Sequence, residues 1–275
     1  MNYSRILALV LVPMFFVYQV SSVAAHEFWF EPLSYKVQVG DKVQAHLKNG
    51  QNFKGTTYSY VNEIFVRFDI ATPNGVEPVI VRRGDRPALN VEAKAEGLHV
   101  PIYGSTMQWV RYNKLEKFES FVRSVKLDWV LEAHKERGYP SEKVLETYYR
   151  YAKSLIAVGS GKGKDRFYDL PIEFVALTNP YVDNTKDGVR VQLFLEGKPF
   201  VGADVQIFHY VAGSEDAVMD RTTTDAQGMA IISVFEGGSF LINAVDIRDP
   251  RPEGVKKGAH WETIWATLTY ELPAG

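Results

Sequence analysis

The sequence predicts a mainly β protein with two antiparallel β-sandwich domains and a helical insert between them or within the first. Stretches such as "YKVQVGDKVQAHLKNG" and "VRVQLFLEGKPFVGADVQIFHYV" alternate apolar and polar residues, which is typical of half-buried strands. Between about residues 115 and 158 the apolar residues instead recur every three or four positions, which favours helices. The chain of 275 residues is long enough for two domains, each with its own core.

Residues 1–25 are predicted to be a secretory signal peptide. Arg5 follows a short polar start, residues 6–20 are nearly all apolar, and the small residues "SSVAA" end the segment. The apolar run is shorter than the ~20 residues of a membrane-spanning helix. We therefore expect export to the periplasm without membrane insertion after cleavage. Cleavage after Ala25 would make His26 the first residue, whereas cleavage after Ala24 would leave Ala25 in front of it.

The composition excludes several classes of function. The net charge of −2 and the absence of a basic stripe argue against nucleic-acid binding. With no cysteine, the chain can form neither disulfides nor thiolate metal sites, so any metal would be bound by histidine, carboxylate or the terminal amine. The sequence contains no G-x-S-x-G and no H-E-x-x-H motif, and we predict that it is not an enzyme.

The first domain is predicted over residues 26–169. Alternation continues to about Arg111, with Gly, Asn, Asp and Pro separating the strands. The helical insert is predicted over about 115–158. Gly138 and Pro140 divide it, and its apolar positions include Phe118, Phe121, Val122, Val125, Val144, Leu145, Tyr148, Ala152 and Leu155. The following "GSGKGKDR" is predicted to be a linker, because it lacks the first Gly and the Ser or Thr of a phosphate-binding loop.

The second domain is predicted over residues 170–275 as another antiparallel, Ig-like sandwich. Its strands alternate in the "VRVQLFLEGKPF" region, in "MAIISVFEGGSFLINAVD" and in "HWETIWATLTYEL". The segment "DAQG", residues 225–228, predicts a tight turn in which Asp bonds the backbone and Gly accepts a positive φ.

The order of these pieces resembles a family of exported bacterial proteins long catalogued as a domain of unknown function. Its members are often described as the periplasmic component of nickel/cobalt uptake, of the ABC-type cobalt transport kind. The resemblance implies a β-rich periplasmic protein that binds a divalent metal, with an inner-membrane transporter as a possible partner. The second domain is similar to carboxypeptidase-regulatory-like sandwiches. The matching segments are "AHEFWFEP", "FESFVRSVKLDWVLEAHKERG", "YYRYAKSLIAVG", "LPIEFVALTNPY", "LFLEGKPFVGADVQ", "TTTDAQG" and "HWETIWATLTYEL".

His26 is the first candidate metal ligand. An N-terminal histidine can chelate a metal through its α-amine and Nδ1, and a second imidazole then completes a histidine brace. Amine and imidazole nitrogens suit copper, nickel and zinc alike, with copper bound most tightly. The alternative is that "HEFWF" is an edge strand with a solvated histidine.

His260 and His209 are the candidate second ligands, in that order. On its strand, His260 shares a face with Ile264, Ala266, Leu268 and Tyr270, while Trp261 and Trp265 take the other. His209 shares a face with Val205 and Ile207. An inward imidazole needs a polar partner, which a backbone carbonyl could also supply.

The sequence therefore predicts a periplasmic transition-metal-binding protein associated with nickel, cobalt or copper uptake. Two alternatives stay open: a β-sandwich binding or adhesion module that uses no metal, and a redox enzyme built on a copper brace.

Overall fold

The computed structural model describes residues 26–211, 213–234 and 237–272, so the predicted signal peptide lies outside the described residues. The described chain is mainly β with several antiparallel sheets, which confirms the predicted fold class. None of its helices is long and apolar enough to cross a membrane.

The strands are β1 (Glu27–Pro32), β2 (Lys36–Val37), β3 (Lys42–Gln51), β4 (Lys54–Tyr58), β5 (Phe65–Thr72), β6 (Gly75–Pro78), β7 (Leu89–Glu92), β8 (Gly97–Ser105), β9 (Gln108–Tyr112), β10 (Val144–Ser154), β11 (Ile156–Val158), β12 (Ile172–Ala176), β13 (Val189–Leu195), β14 (Lys198–Pro199), β15 (Asp204–Tyr210), β16 (Val218–Thr223), β17 (Met229–Ile232), β18 (Gly238–Arg248) and β19 (Trp261–Leu272). The α-helices are α1 (Leu115–Ser124), α2 (Trp129–Glu136) and α3 (Pro252–Lys257).

One sheet of eleven strands contains strands from both predicted domains. Its main path runs β16-β15-β18-β19-β10-β8-β11-β2, with β5, β6 and β9 attached. At its centre β10 and β19 pair in parallel, with Glu146 opposite Trp261 and Arg150 opposite Trp265. The sheet therefore continues across the predicted boundary between residues 169 and 170, and the division into two domains stays a prediction.

Two smaller sheets cover opposite faces of this main sheet. Residues Ile264 and Leu268 of β19 share a core with Ile172 and Val191, which belong to the sheet of β12, β13, β14 and β17. On the opposite face β1 packs over β19, together with β3, β4 and β7. Strands at the centre of the main sheet are consequently buried on both sides.

The helical prediction is confirmed only in its first half. Helices α1 and α2 pack on the main sheet, where Phe121 stacks on Trp265 with ring centroids 5.7 Å apart. Residues 144–158, predicted to be helical, instead form β10 and β11, so that prediction is wrong. The physical reason is that β10 is buried on both faces, and its apolar residues therefore do not alternate with period two.

Candidate functional site

The structure places His26, the residue before β1, in a cleft of about 380 Å³ that is also lined by residues of β3, β4, β9 and β10. We call it the His26 cleft. Its lining includes the charged or titratable side chains of His26, Glu146 and Arg150 and the aromatic rings of Tyr58, Trp109 and Tyr148. About half of the Trp109 surface is exposed (51%), so the aromatic wall can be reached from solvent.

His26 is positioned by the docking of β1 on the main sheet. The hydroxyl of Thr267 donates to the carbonyl oxygen of Phe28 at 2.7 Å, and that of Thr269 donates to Phe30 at 2.9 Å. Arg150 Nη2 donates to the carbonyl oxygen of His26 at 3.1 Å. The start of β1 is therefore held against the centre of β10.

Glu146 is a buried carboxyl group at the wall of the cleft. Its Oε2 accepts the Tyr112 hydroxyl at 2.8 Å and its Oε1 accepts the Thr263 hydroxyl at 2.5 Å. Burial raises the pKa of Glu146 to about 7, although the two hydroxyls and the positive charge of Arg150 act in the opposite direction. The group thus exchanges its proton near neutral pH, as candidate functional residues often do.

Arg150 is a cation near two buried acids, Glu146 and Glu27, but it forms an ion pair with neither. Its guanidinium lies 4.6 Å from the centre of the Tyr148 ring, and its buried Nε has no hydrogen-bond acceptor. It forms no salt bridge with any described residue. The neighbouring Glu27 is also buried, which raises its pKa to about 7. Near neutral pH the two acids near Arg150 are therefore only partly ionised, and its charge is only partly balanced.

The three predicted metal-ligating histidines do not meet. His260 Nδ1 accepts the backbone N–H of Leu145 at 3.0 Å, beside Trp261 at the start of β19. His209 pairs with Phe240, which pairs with Tyr270 near the other end of β19. Residues 261 and 270 of one strand are about 30 Å apart. One ion therefore cannot contact both side chains, and neither lines the His26 cleft.

Both of these histidines have local partners. The His209 ring stacks on Phe240 with centroids 4.2 Å apart, and its Nε2 lies 3.4 Å from the carbonyl oxygen of Gly237. His260 contacts the ring of Tyr139 edge-on at 5.1 Å. Among the described residues, no group of three or more histidine or carboxylate side chains is arranged to hold a metal ion.

Glu146 and Arg150 were missed as site residues by the sequence prediction. The cause was the helical interpretation of 144–158, because a helix there gave no reason to expect Glu146 and Arg150 to lie near His26. A signal was present, because a glutamate and an arginine stand within the otherwise largely apolar and aromatic "VLETYYRYA". Charged residues are rarely buried without a partner or a function.

Comparisons with known proteins give a family and little more. No curated protein matches the chain. One solved structure with a match is described as a tetra-tandem repeat in the extending region of a large adhesion protein. It is 11% identical, its TM-score is 0.22, and the alignment covers 91% of this chain and 50% of that one. A similarity this weak supports no argument about function. The model of the family described as a domain of unknown function (DUF4198) matches residues 23–247, and the chain therefore belongs to that family.

Proposed function

We propose that the protein binds a transition-metal ion, nickel, cobalt or copper, through His26 in the cleft. The observation that carries the proposal is that His26 and Glu146 line the same cleft. His260 and His209 have no part in it, because the fold places them elsewhere. In the periplasm such a protein would buffer the metal or deliver it to an inner-membrane importer.

The chemistry requires the α-amine that signal cleavage after Ala25 would expose. That amine and Nδ1 of His26 can occupy two metal positions, and Glu146 supplies an oxygen ligand or accepts a hydrogen bond from a group bound to the metal. Deprotonating an α-amine of pKa 7.7–8.0 near pH 7 costs only about 1 kcal/mol. This is small beside the ~10–16 kcal/mol that an assembled zinc site provides. Because Glu146 has a pKa of about 7, we expect metal affinity to increase with pH through this range.

The first experiment compares a protein that begins at His26 with one that keeps Ala25 in front of it. The extra residue converts the amine to an amide and leaves every side chain unchanged. Removing a group that only orients a metal ligand costs about 10–100-fold in affinity. We therefore expect Ala25 to weaken copper(II) or nickel(II) binding by more than about 100-fold in calorimetry. Equal affinities of the two proteins would refute the chelate.

A matched side-chain variant tests the role of Glu146. Glu146→Gln keeps the size of the residue and loses the charge, so it should weaken metal binding in the protein that begins at His26. His209→Gln is the control, because His209 lies outside the cleft. Should His209→Gln and Glu146→Gln weaken binding equally, the site would not be in the cleft.

A second candidate function is recognition of an acidic sugar without a metal. Its supporting observation is Arg150, a cation without a salt bridge among the described residues, beside aromatic rings that suit a sugar face. We expect galacturonate to bind and galactose, which lacks the carboxylate, not to bind. Arg150→Gln should abolish the difference, measured by NMR titration in the presence of a metal chelator. Equal binding of the two sugars, or of neither, would rule this function out.

A further inference from the structure

A second cluster of buried charged groups lies away from the His26 cleft and takes no part in the proposed function. Lys153 on β10, Asp165 in the segment before β12, and Glu173 on β12 have relative exposures of 1%, 8% and 1%. Lys153 Nζ lies 2.9 Å from Asp165 Oδ2 and 2.9 Å from Glu173 Oε1. A nucleophile, a carboxyl group and a possible base are therefore in contact in a site that excludes bulk water.

The backbone distinguishes the two oxygens of Asp165. The N–H of Ala176 donates to Oδ2 at 2.8 Å, whereas Oδ1 is buried and has no hydrogen-bond partner. A donor on one oxygen stabilises negative charge there when the carboxyl carbon is attacked. No hydrogen bond holds the other oxygen in place. An unpartnered buried polar atom calls for an explanation.

Glu173 is placed to move a proton from Lys153. Its carboxylate accepts the backbone N–H groups of Tyr168 and Leu170 at 3.0–3.1 Å, which fixes its orientation toward Nζ. Burial raises the pKa of Glu173, although Lys153 acts in the opposite direction. The ring of Tyr168 lies 4.8 Å from Nζ and helps to close the site.

We propose that Lys153 and Asp165 become joined by an amide bond between Nζ and the side-chain carboxyl carbon. Glu173 takes one proton from the ammonium, and the neutral amine attacks the carboxyl carbon. The negative charge on Oδ2 is held by the Ala176 N–H. Oδ1 then leaves as water, taking the proton from Glu173 and a second proton from the nitrogen. An ammonium and a carboxylate thus become an amide and one water, without an oxidant or other reactant.

Such a bond would tie two layers of the fold together. Lys153 belongs to the central strand β10, and Asp165 precedes β12, the first strand of the sheet that covers one face. The chain has no cysteine, so disulfides cannot provide a covalent link of this kind. The proposal does not depend on metal or sugar binding.

The test is mass spectrometry of the purified full chain after denaturation and digestion. Trypsin does not cleave after an acylated lysine. We therefore expect a branched peptide in which residues 151–162 are linked to Asp165–Arg166, lighter by one water than its two parts. Ordinary peptides ending at Lys153 would overturn the proposal and leave a buried ion pair only. A cyclic imide at Asp165 would also lose water, but it would leave Lys153 cleavable and would equally overturn it.

Single substitutions test which residues take part in forming the bond. Asp165→Ala and Lys153→Met should each give the full sequence mass. Glu173→Gln keeps the size of the side chain and loses the base, so it should leave most molecules unlinked. A wild-type degree of linkage in Glu173→Gln would remove Glu173 from the mechanism. If a variant fails to fold, the digest of the wild-type chain still shows whether the bond is present.

Discussion

Replacing Glu262 by alanine should lower the free energy of unfolding by about 3 kcal/mol, the lower end of the range for breaking a buried ion pair. Glu262 is completely buried on β19. Its Oε1 accepts Arg248 Nε at 3.1 Å and lies 3.2 Å from Arg251 Nε in an ion pair, and its Oε2 accepts the backbone N–H of Arg251 at 3.1 Å. Alanine would leave the two donors without their acceptor and both guanidinium groups without this carboxylate.

The lower end of the range is expected because solvent reaches the two arginines. The side chains of Arg248 and Arg251 are 23% and 30% exposed, so water offsets part of the loss. Urea denaturation at neutral pH measures the change. The slope of the transition should stay the same, because the variant removes an interaction and not the fold.

Glu196→Ala is the matched control, because Glu196 contacts the same two arginines from the surface. Its carboxylate lies 2.6 Å from Arg248 Nη1, and its side chain is 57% exposed. Exposed ion pairs contribute at most about 1 kcal/mol. If the two variants lost equal stability, burial of Glu262 would not be the reason for its contribution.

The sequence could predict those strands that bury one face. In β3 the residues Val43, Ala45 and Leu47 are buried and alternate with half-buried neighbours, so the period-two pattern was visible. The two faces of β19 were also separated correctly, because Ile264 and Leu268 lie in one core and Trp261 and Trp265 in another. Alternation is a local property, and it needs no knowledge of partners.

The strand β10 could not be recognised in the same way, because its burial depends on distant parts of the chain. It is covered on both faces, and its partner β19 begins more than a hundred residues later. Apolar residues at mixed spacing were therefore interpreted as a helix. The error hid the position of Glu146 and Arg150. His26 could be chosen as a candidate because it directly follows the predicted signal peptide, which is visible in the sequence. The residues that surround it are determined by the register of the sheet, which is not.

The second large effect is a pH dependence of stability that Glu146 should cause. Burial raises its pKa from 4.5 to about 7, so the folded chain binds this proton more tightly than the unfolded chain does. Its contribution to stability is complete below about pH 4.5 and is lost as the pH rises through about 7. At 1.36 kcal/mol per pKa unit, the loss is on the order of 3 kcal/mol.

Glu146→Gln should remove this loss, because glutamine is a neutral residue of the same shape at every pH. We expect urea midpoints measured from pH 5 to pH 8 to fall less steeply in the variant than in the wild type, with the gap opening between about pH 5 and pH 7 and staying constant above that. Glu27 also has a pKa of about 7, so it causes a second part of the fall in stability with pH. The double variant Glu27→Gln with Glu146→Gln should therefore have a still flatter dependence on pH. Glu63→Gln, on the exposed surface, should leave the slope as it is. Parallel curves for wild type and Glu146→Gln would show that the carboxyl group stays ionised inside the fold, and that Arg150 and the two hydroxyls outweigh its burial.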